Sequence, residues 1–443
     1  MITRIEIDGF KTFENFELDL RPLTAVVGPN ASGKSNLFDA IQLISALAEK
    51  DVRTAMKGLR GEPEEFFRQT VSGTTDTISL AIEVYLDKDG EDDFGKKFEI
   101  KAQRLRYELT LVLSDGENGS PRGVFVRDET CLALKRVEDR ADYLKLRKPS
   151  YSSHLNPFIV RNENRDALLV RQDGPLRRGK PVQLSLKEAS RTALSTVTTA
   201  EFPHLYGLRE ALIAMRFLEI NPTAARGAND RFESNVLKAD ASNLAAVLSR
   251  LREESATELR PDGALADIAT DLSALIPSVS RIQVQTDASR QYSFSIVFAK
   301  EIEFSSRVIS DGTLRLLALL TLLNDPERKG TLCFEELENG VHEGRIPMLV
   351  EFLREATTIY DDPKMPLFQI ILNTHSPKVM AALQDTEIVA ADVVTGIDPS
   401  TKLVSPRTRM RTGISLPDDL FDPGKYLARS EVERLLQHTV DAA

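Results

Sequence analysis

Eight consecutive residues, Gly28-Pro29-Asn30-Ala31-Ser32-Gly33-Lys34-Ser35, carry the pattern GxxxxGK(S/T). The chemistry that such a pattern serves is the holding of a polyphosphate. Gly28 and Gly33 can take positive φ, so successive N–H groups turn inward onto an anion. The helix that follows adds the positive end of its dipole. Lys34 is spaced to reach the β- and γ-oxygens, and the Ser35 hydroxyl to ligate Mg2+. A chance Gly/Ser loop ahead of a helix would share the composition but not both flanks. Here Leu23-Thr24-Ala25-Val26-Val27 reads as a buried strand, and Leu37, Ile41 and Ile44 recur on one helical face. The stretch is read as a nucleoside triphosphate site.

Further candidates stand near the other end of the chain. Ser310-Asp311-Gly312-Thr313 precedes the apolar helix Leu314–Leu320 and gives a second anion-binding helix end. Thr331-Leu332-Cys333-Phe334 is an apolar strand run ending in Glu335-Glu336, where carboxylates suit a Mg2+ ligand and a water-polarising base. Phe368–Leu372 is another apolar strand, ending in Asn373-Thr374-His375-Ser376-Pro377. Alone, the serine-capped helix is any capped helix, the glutamates are any surface pair and the histidine is any structural histidine. Their order and spacing give them weight.

As an ordered set, Gly28–Ser35, Ser310–Arg315, Phe334-Glu335-Glu336 and Thr374-His375-Ser376 resemble the AAA-family ATPases with ABC-type heads, relatives of RecF, of SMC heads and of the OLD proteins. Arg216–Pro222 and Asp240–Leu248 extend the resemblance through the middle, to about residue 395. It implies an α/β fold: an ABC-type P-loop ATPase head with an antiparallel β subdomain and a helical insertion. It also implies that Gly28, Asn30, Ala31, Ser32, Gly33, Lys34, Ser35 and Asn36 hold ATP with Mg2+. Ser35 and Glu335 would bind the metal, Glu336 would be the general base, and His375 the switch histidine sensing the γ-phosphate. Ser310 and Gly312 would cap the nucleotide of a second subunit, so that two sites form only in a homodimer or higher oligomer. Two positions depart from the pattern. Leu337 stands where many OLD-like relatives carry Pro, and the magnesium-contacting loop glutamine has Gln69 only as its nearest candidate.

The elements that must position these groups are legible in outline. Residues 1–140 read as an N-terminal lobe with the phosphate loop and an antiparallel meander, its strands at Ile78–Val84, Tyr107–Leu113, Val124–Val126 and Leu132–Leu134. Residues 141–300 read as a basic and helical insertion, with helices near Leu205–Met215, Ser242–Leu251 and Ile268–Leu275. The first of these is expected to run on through Phe217–Ile220 to Asn221-Pro222. Residues 301–395 form the C-terminal ATPase lobe and 396–443 a tail.

Composition bounds the function. The 443 residues carry a net charge of -10 and a pI near 5.3, which argues against a surface that coats nucleic acid along its length. Within 145–191, however, eleven basic side chains face four acidic ones, so this stretch is a candidate DNA or partner surface, weighed against a solvated strand face with locally paired arginines. Cys131 and Cys333 form neither a disulfide framework nor a metal knuckle, which suits a reducing cytoplasm. Neither a signal region nor a membrane span is expected. The segment after His375 lacks the Asp-x-Asp of an own-chain nuclease, so the resemblance points to a separate nuclease or toxin partner, as in bacterial anti-phage systems. The acidic tail Leu416–Pro423 and the helix at Ser430–His438 are candidates for docking it. The alternatives are an ATP-bound scaffold that turns over slowly or not at all, and a repair or segregation factor that grips DNA through Arg177 and Arg178.

Overall fold

The computed structural model describes residues 1–70, 73–116, 122–152, 155–173, 180–357, 367–397, 404–414 and 422–437. A seven-stranded sheet carries the chemistry. Its order is Arg216–Leu218, Gly330–Glu335, Phe368–Thr374, Leu23–Val27, Ile388–Ile397, Val404–Ile414 and Tyr426–Ala428. The first five strands run parallel, and Val404–Ile414 reverses direction. Every residue of Leu23–Val27 and of Phe368–Thr374 is buried. This is the continuous apolar signature of a strand covered on both faces.

The register brings the candidate residues to one edge. Glu335 pairs with Asn373, and Thr374 with Val27, so Glu335, Thr374 and the phosphate loop leave the sheet side by side at its carboxyl end. In an open α/β sheet that end is where ligands bind.

An eight-stranded antiparallel sheet packs beside this one. Its order is Val182–Ser185, Ala167–Val170, Ile159–Arg161, Arg122–Ala133, Arg104–Asp115, Thr77–Tyr85, Ile2–Asp8 and Phe16–Asp19. The expected meander is its centre. The sheet does not stop near residue 140, because three strands drawn from the basic stretch extend it. The helix Lys34–Leu47 shares a core with this sheet, burying Leu37, Ile41 and Ile44 among Ile5, Ile7, Ile82 and Leu109. The opposite face of the parallel sheet is covered by helices Leu244–Ser255, Ala264–Leu275, Asp311–Leu323 and Ile346–Ala356. Against them lies a small sheet in which Ile282 pairs with Ile296 and Val284 with Phe294.

One sequence expectation is corrected here. The helix Pro203–Ile213 does not run on through Phe217–Ile220. Arg216–Leu218 is instead a parallel edge strand, with Phe217 opposite Cys333. A short apolar run has no periodicity of its own, and a vacant place beside Gly330–Glu335 decides its conformation. Among the described residues no helix is long and apolar enough to cross a membrane.

A single amide ties the two large sheets together. Fully buried Gln369 accepts from the Ile2 N–H and the Thr331 hydroxyl, both at 3.0 Å, and donates to the carbonyls of Ile2 and Arg21 at 2.7 and 3.0 Å. Gln369→Leu strands these groups without partners, at about 1–3 kcal/mol for each that finds none. The variant is expected to lose about 3 kcal/mol or more in urea unfolding followed by circular dichroism. A loss below about 1 kcal/mol would show that the amide is not the tie.

Candidate functional site

The phosphate loop is built by backbone geometry that its sequence permits. Gly33 caps the helix Lys34–Leu47 at φ +88°, and a Cβ there would lie 2.0 Å from Thr408 Oγ1. A Cβ on Gly28 would lie 2.3 Å from the Ala391 carbonyl oxygen. Both positions exclude a side chain. Ala31 also takes positive φ, at +62°, which is uncommon for a residue with a Cβ. Ser32 Oγ is buried and has no hydrogen-bond partner. A buried, unsatisfied hydroxyl is costly; this one sits in the loop, ahead of a helix N-terminus whose first amides also lack intrahelical acceptors.

Lys34 folds back onto the loop, donating to the carbonyls of Gly28 at 2.7 Å and Pro29 at 2.6 Å. Burial lowers the pKa of its ammonium, and the carboxylates of Glu336, Glu338 and Glu335 pull in the opposite direction. At the helix start, Asn36 Nδ2 donates to Thr12 Oγ1 at 2.8 Å, and Thr12 Oγ1 lies 2.7 Å from Thr408 Oγ1. The first turn is thereby linked to the strand Val404–Ile414.

The glutamate pair leaves the neighbouring strand. Glu335 is its last residue, and its carboxylate lies 3.6 Å from Arg60 Nη2, a guanidinium that also lies 3.6 Å from Glu219. Glu336 adopts φ +55°. Its N–H is aimed at Asn373, at 3.2 Å from the backbone oxygen and 3.1 Å from Oδ1, and its Oε2 accepts from Asn339 Nδ2 at 2.6 Å. Leu337 is buried in the core shared with the helices and anchors the turn. Thr374 and His375 lie alongside: the Gly28 N–H donates to the Thr374 carbonyl at 3.3 Å, and Glu338 accepts from Thr374 Oγ1 at 2.9 and 3.0 Å. The phosphate loop, the glutamate turn and the histidine are therefore held at one place.

The serine-capped helix belongs to a different part of that place. Ser310 Oγ accepts from the Thr313 N–H at 3.3 Å and caps Asp311–Leu323. Arg226 Nη2 binds Asp311 Oδ1 at 2.5 Å and the Ile309 carbonyl at 2.8 Å. Gly312 is pressed against Gly340, at the end of the glutamate turn. A Cβ on Gly340, whose φ is +87°, would lie 2.7 Å from Gly312 Cα. The start of this helix is thus packed on the turn that carries Glu336.

Several of these contacts involve residues that the sequence reading did not single out. Glu338 lies two positions beyond the glutamate pair, and Arg60 stands between Gly58 and Gly61 in a loop far from the glutamates in sequence. Spacing alone marks neither. Gln69 sits in a short hairpin with Thr74 and its side chain is exposed. Much of the basic stretch is engaged locally. Arg147 is buried near the Tyr85 ring, Arg161 meets Asp128, Arg171 donates to Pro157, Arg191 donates to Glu49 and Lys145 meets Asp142. Arg177, Arg178 and most of the acidic tail lie outside the described residues.

Comparison with known proteins gives this arrangement a family. The model described as "AAA domain, putative AbiEii toxin, Type IV TA system" matches residues 23–381. The chain is 40% identical over 95 residues to the chromosome partition protein Smc of Bacillus subtilis, a match covering 21% of this chain and 7% of that one. It is 36% identical over 82 residues to the OLD nuclease of Thermus scotoductus, covering 18% of this chain and 14% of that one. The chain therefore matches only a small part of the length of either relative. Among solved structures, an Smc head bound to the C-winged helix domain of ScpA is 14% identical, covers 93% of this chain and 98% of its own, and gives a TM-score of 0.49. The SMC head domain of Thermotoga maritima is 13% identical, with coverages of 91% and 98% and a TM-score of 0.38. With the family match spanning most of its length, the chain belongs to this AAA-domain family.

Proposed function

We propose that this chain binds ATP with Mg2+ at Gly28–Ser35, hydrolyses it with Glu336 as general base, and works as a dimer that closes on nucleotide. The observation that carries the reading is the convergence of the phosphate loop, the glutamate turn and His375 on strand ends joined by Gly28–Thr374 and Glu336–Asn373 hydrogen bonds. The orphaned Ser32 hydroxyl fits a ligand rich in acceptor oxygens. Ser35 and Glu335 are the oxygen donors that would hold Mg2+, a metal that takes few protein ligands and keeps water and phosphate oxygens for the rest. When bound, the metal would supply charge neutralisation to the phosphates.

The steps assigned to the chain follow from its geometry. Lys34 gives up the Gly28 and Pro29 carbonyls and turns its ammonium to the phosphates. Amides of the loop and of the first helical turn donate to the same oxygens. Glu336 exchanges Asn339 for the attacking water and takes its proton. Ser310 and Gly312 offer their helix end to the nucleotide of a second protomer, while Arg226 holds Asp311 aside.

One observation also favours slow turnover by the isolated chain. Glu336 rests in a left-handed backbone conformation with a carboxylate oxygen committed to Asn339. Such a conformation costs about 1–2 kcal/mol and has to be held by its surroundings. The base is therefore restrained until contacts rearrange, as they would on dimer closure. The family's description as a toxin-system component and the similarity to an OLD nuclease support coupling to a separate nuclease or toxin subunit. DNA binding through 145–191 draws less support, because many of its cations are paired locally.

Glu336→Gln is expected to lower single-turnover hydrolysis at least about a hundredfold, and to accumulate as an ATP-bound dimer in light scattering coupled to size exclusion. Ser310→Arg should bind a fluorescent ATP analogue normally yet stay monomeric. Equal and negligible hydrolysis by wild type and Glu336→Gln would favour the scaffold reading, and a monomer under saturating ATP would end the dimer reading. Gly340→Ala drives a methyl group into Gly312, at a cost of about 1–3 kcal/mol. It is expected to abolish ATP-dependent dimerisation while leaving analogue affinity within about threefold, and a normal dimer would disconnect Gly340 from the helix end.

A further inference from the structure

The glutamate turn contains a third carboxylate that hydrolysis, as described above, leaves without a task. Glu338 reaches back to the neighbouring strand, Phe368–Thr374. Besides the two contacts from Thr374 Oγ1, its Oε1 lies 3.4 Å from the His375 N–H and 3.4 Å from His375 Nδ1. The carboxylate side chain is 13% exposed and the imidazole 47%. The carboxylate thus stands within ion-pair range of the ring's Nδ1, beside an imidazole that is about half exposed.

A carboxylate beside Nδ1 selects, in the neutral ring, the tautomer that carries its proton there, and it leaves Nε2 with a lone pair. We infer that Glu338 is the positioning residue of His375, holding the ring by Nδ1 so that Nε2 is the nitrogen offered to ATP and its attacking water. This rests on the ATPase reading above. An Nε2 lone pair accepts a hydrogen bond from the water, and it donates to a γ-phosphate oxygen only after taking up a proton. In either state Glu338 keeps the same ring face and the same nitrogen in use.

The hold is firm because Glu338 is itself fixed. Thr374 is fully buried at the end of a central strand, and its hydroxyl spans both carboxylate oxygens. Leu337 on one side is in the core, and Gly340 on the other is pressed against Gly312. Glu336 has its own partner in Asn339, so the two carboxylates do not compete for one donor.

The test uses the full chain labelled with 15N-histidine and free of nucleotide, with the His375 signals identified among the five histidines by their loss in His375→Gln. The expected result is an Nδ1–H ring in wild type that reverts to the Nε2–H form in Glu338→Ala. In steady-state hydrolysis, Glu338→Ala should lower kcat about ten- to a hundredfold with KM within about threefold, the size of effect usual for a lost orienting partner. Glu338→Gln, whose amide oxygen still accepts from Nδ1–H, should keep the tautomer and recover most of the rate. It also serves as the test should the alanine variant misfold. An Nε2–H ring in wild type, or an Nδ1–H ring and full kcat surviving in Glu338→Ala, would overturn the assignment. If wild type turned over no ATP while the tautomer followed Glu338 as described, the hydrolytic reading would fall and the pairing would stand.

Discussion

The site depends on the carboxyl end of one strand, Phe368–Thr374. All seven residues are buried, and the strand lies between the phosphate-loop strand and the strand that ends in Glu335. Its last two residues bind in both directions. Thr374 accepts the Gly28 N–H on one side, and Asn373 accepts the Glu336 N–H on the other. Backbone groups that leave a sheet must find partners when water is excluded. Here they find them in the two loops that would hold a nucleotide. The same strand carries Gln369, whose amide fastens the antiparallel sheet. One rigid element thus sets the spacing of the loops and the docking of the lobe.

The glutamate turn is held at both ends, and this decides what it can transmit. At its start Glu336 is bonded to Asn373; at its end Gly340 touches Gly312 with no side chain between them. Packed contacts of backbone on backbone are stiff, because neither partner has a rotamer to yield. A displacement of the helix Asp311–Leu323 must therefore move the turn or break the contact. The turn also carries Glu336, held by Asn339, so the residue that touches the helix end and the residue proposed as the base lie within five residues of one another.

The parts of this that were legible in the sequence are those fixed by local chemistry. Gly28, Gly33 and Lys34 declare a phosphate loop by their pattern; Gly33 takes the positive φ expected of it, whereas Gly28 does not, and the Ala391 carbonyl at 2.3 Å is what excludes a Cβ there. The paired strands at Ile78–Val84 and Tyr107–Leu113 follow from alternation alone. What was not legible arises from pairing across long separations. Phe217–Ile220 has no period of its own, and its conformation is set by a strand more than a hundred residues away. The basic stretch reads either as a DNA or partner surface or as a strand face with locally paired arginines, and charge alone cannot choose between the two. Its described residues supply the outer strands of a sheet, and Arg161, Arg171 and Arg191 find local acceptors. Arg60 and Glu338 have meaning only once the strands that bring Glu335 and His375 to them are in place.

Charge bears on how the proposed site would take up a nucleotide. Glu335, Glu336 and Glu338 cluster near one buried lysine, which spends its donors on two carbonyls of its own loop. A triphosphate entering this edge brings several more negative charges into a partly desolvated place, where like charges repel strongly. Loop amides and a helix end offset part of that repulsion, and Lys34 offsets more once it turns outward. The balance still leaves the carboxylates facing the phosphates. On the proposed reading, a divalent cation held by Ser35 and Glu335 and the positive helix end of a second protomer would be the two additions that offset this repulsion. Under the proposed dimeric reading the nucleotide and the second protomer would not be independent ligands: each would lower the electrostatic cost of the other, and binding of one would strengthen binding of the other by the same factor.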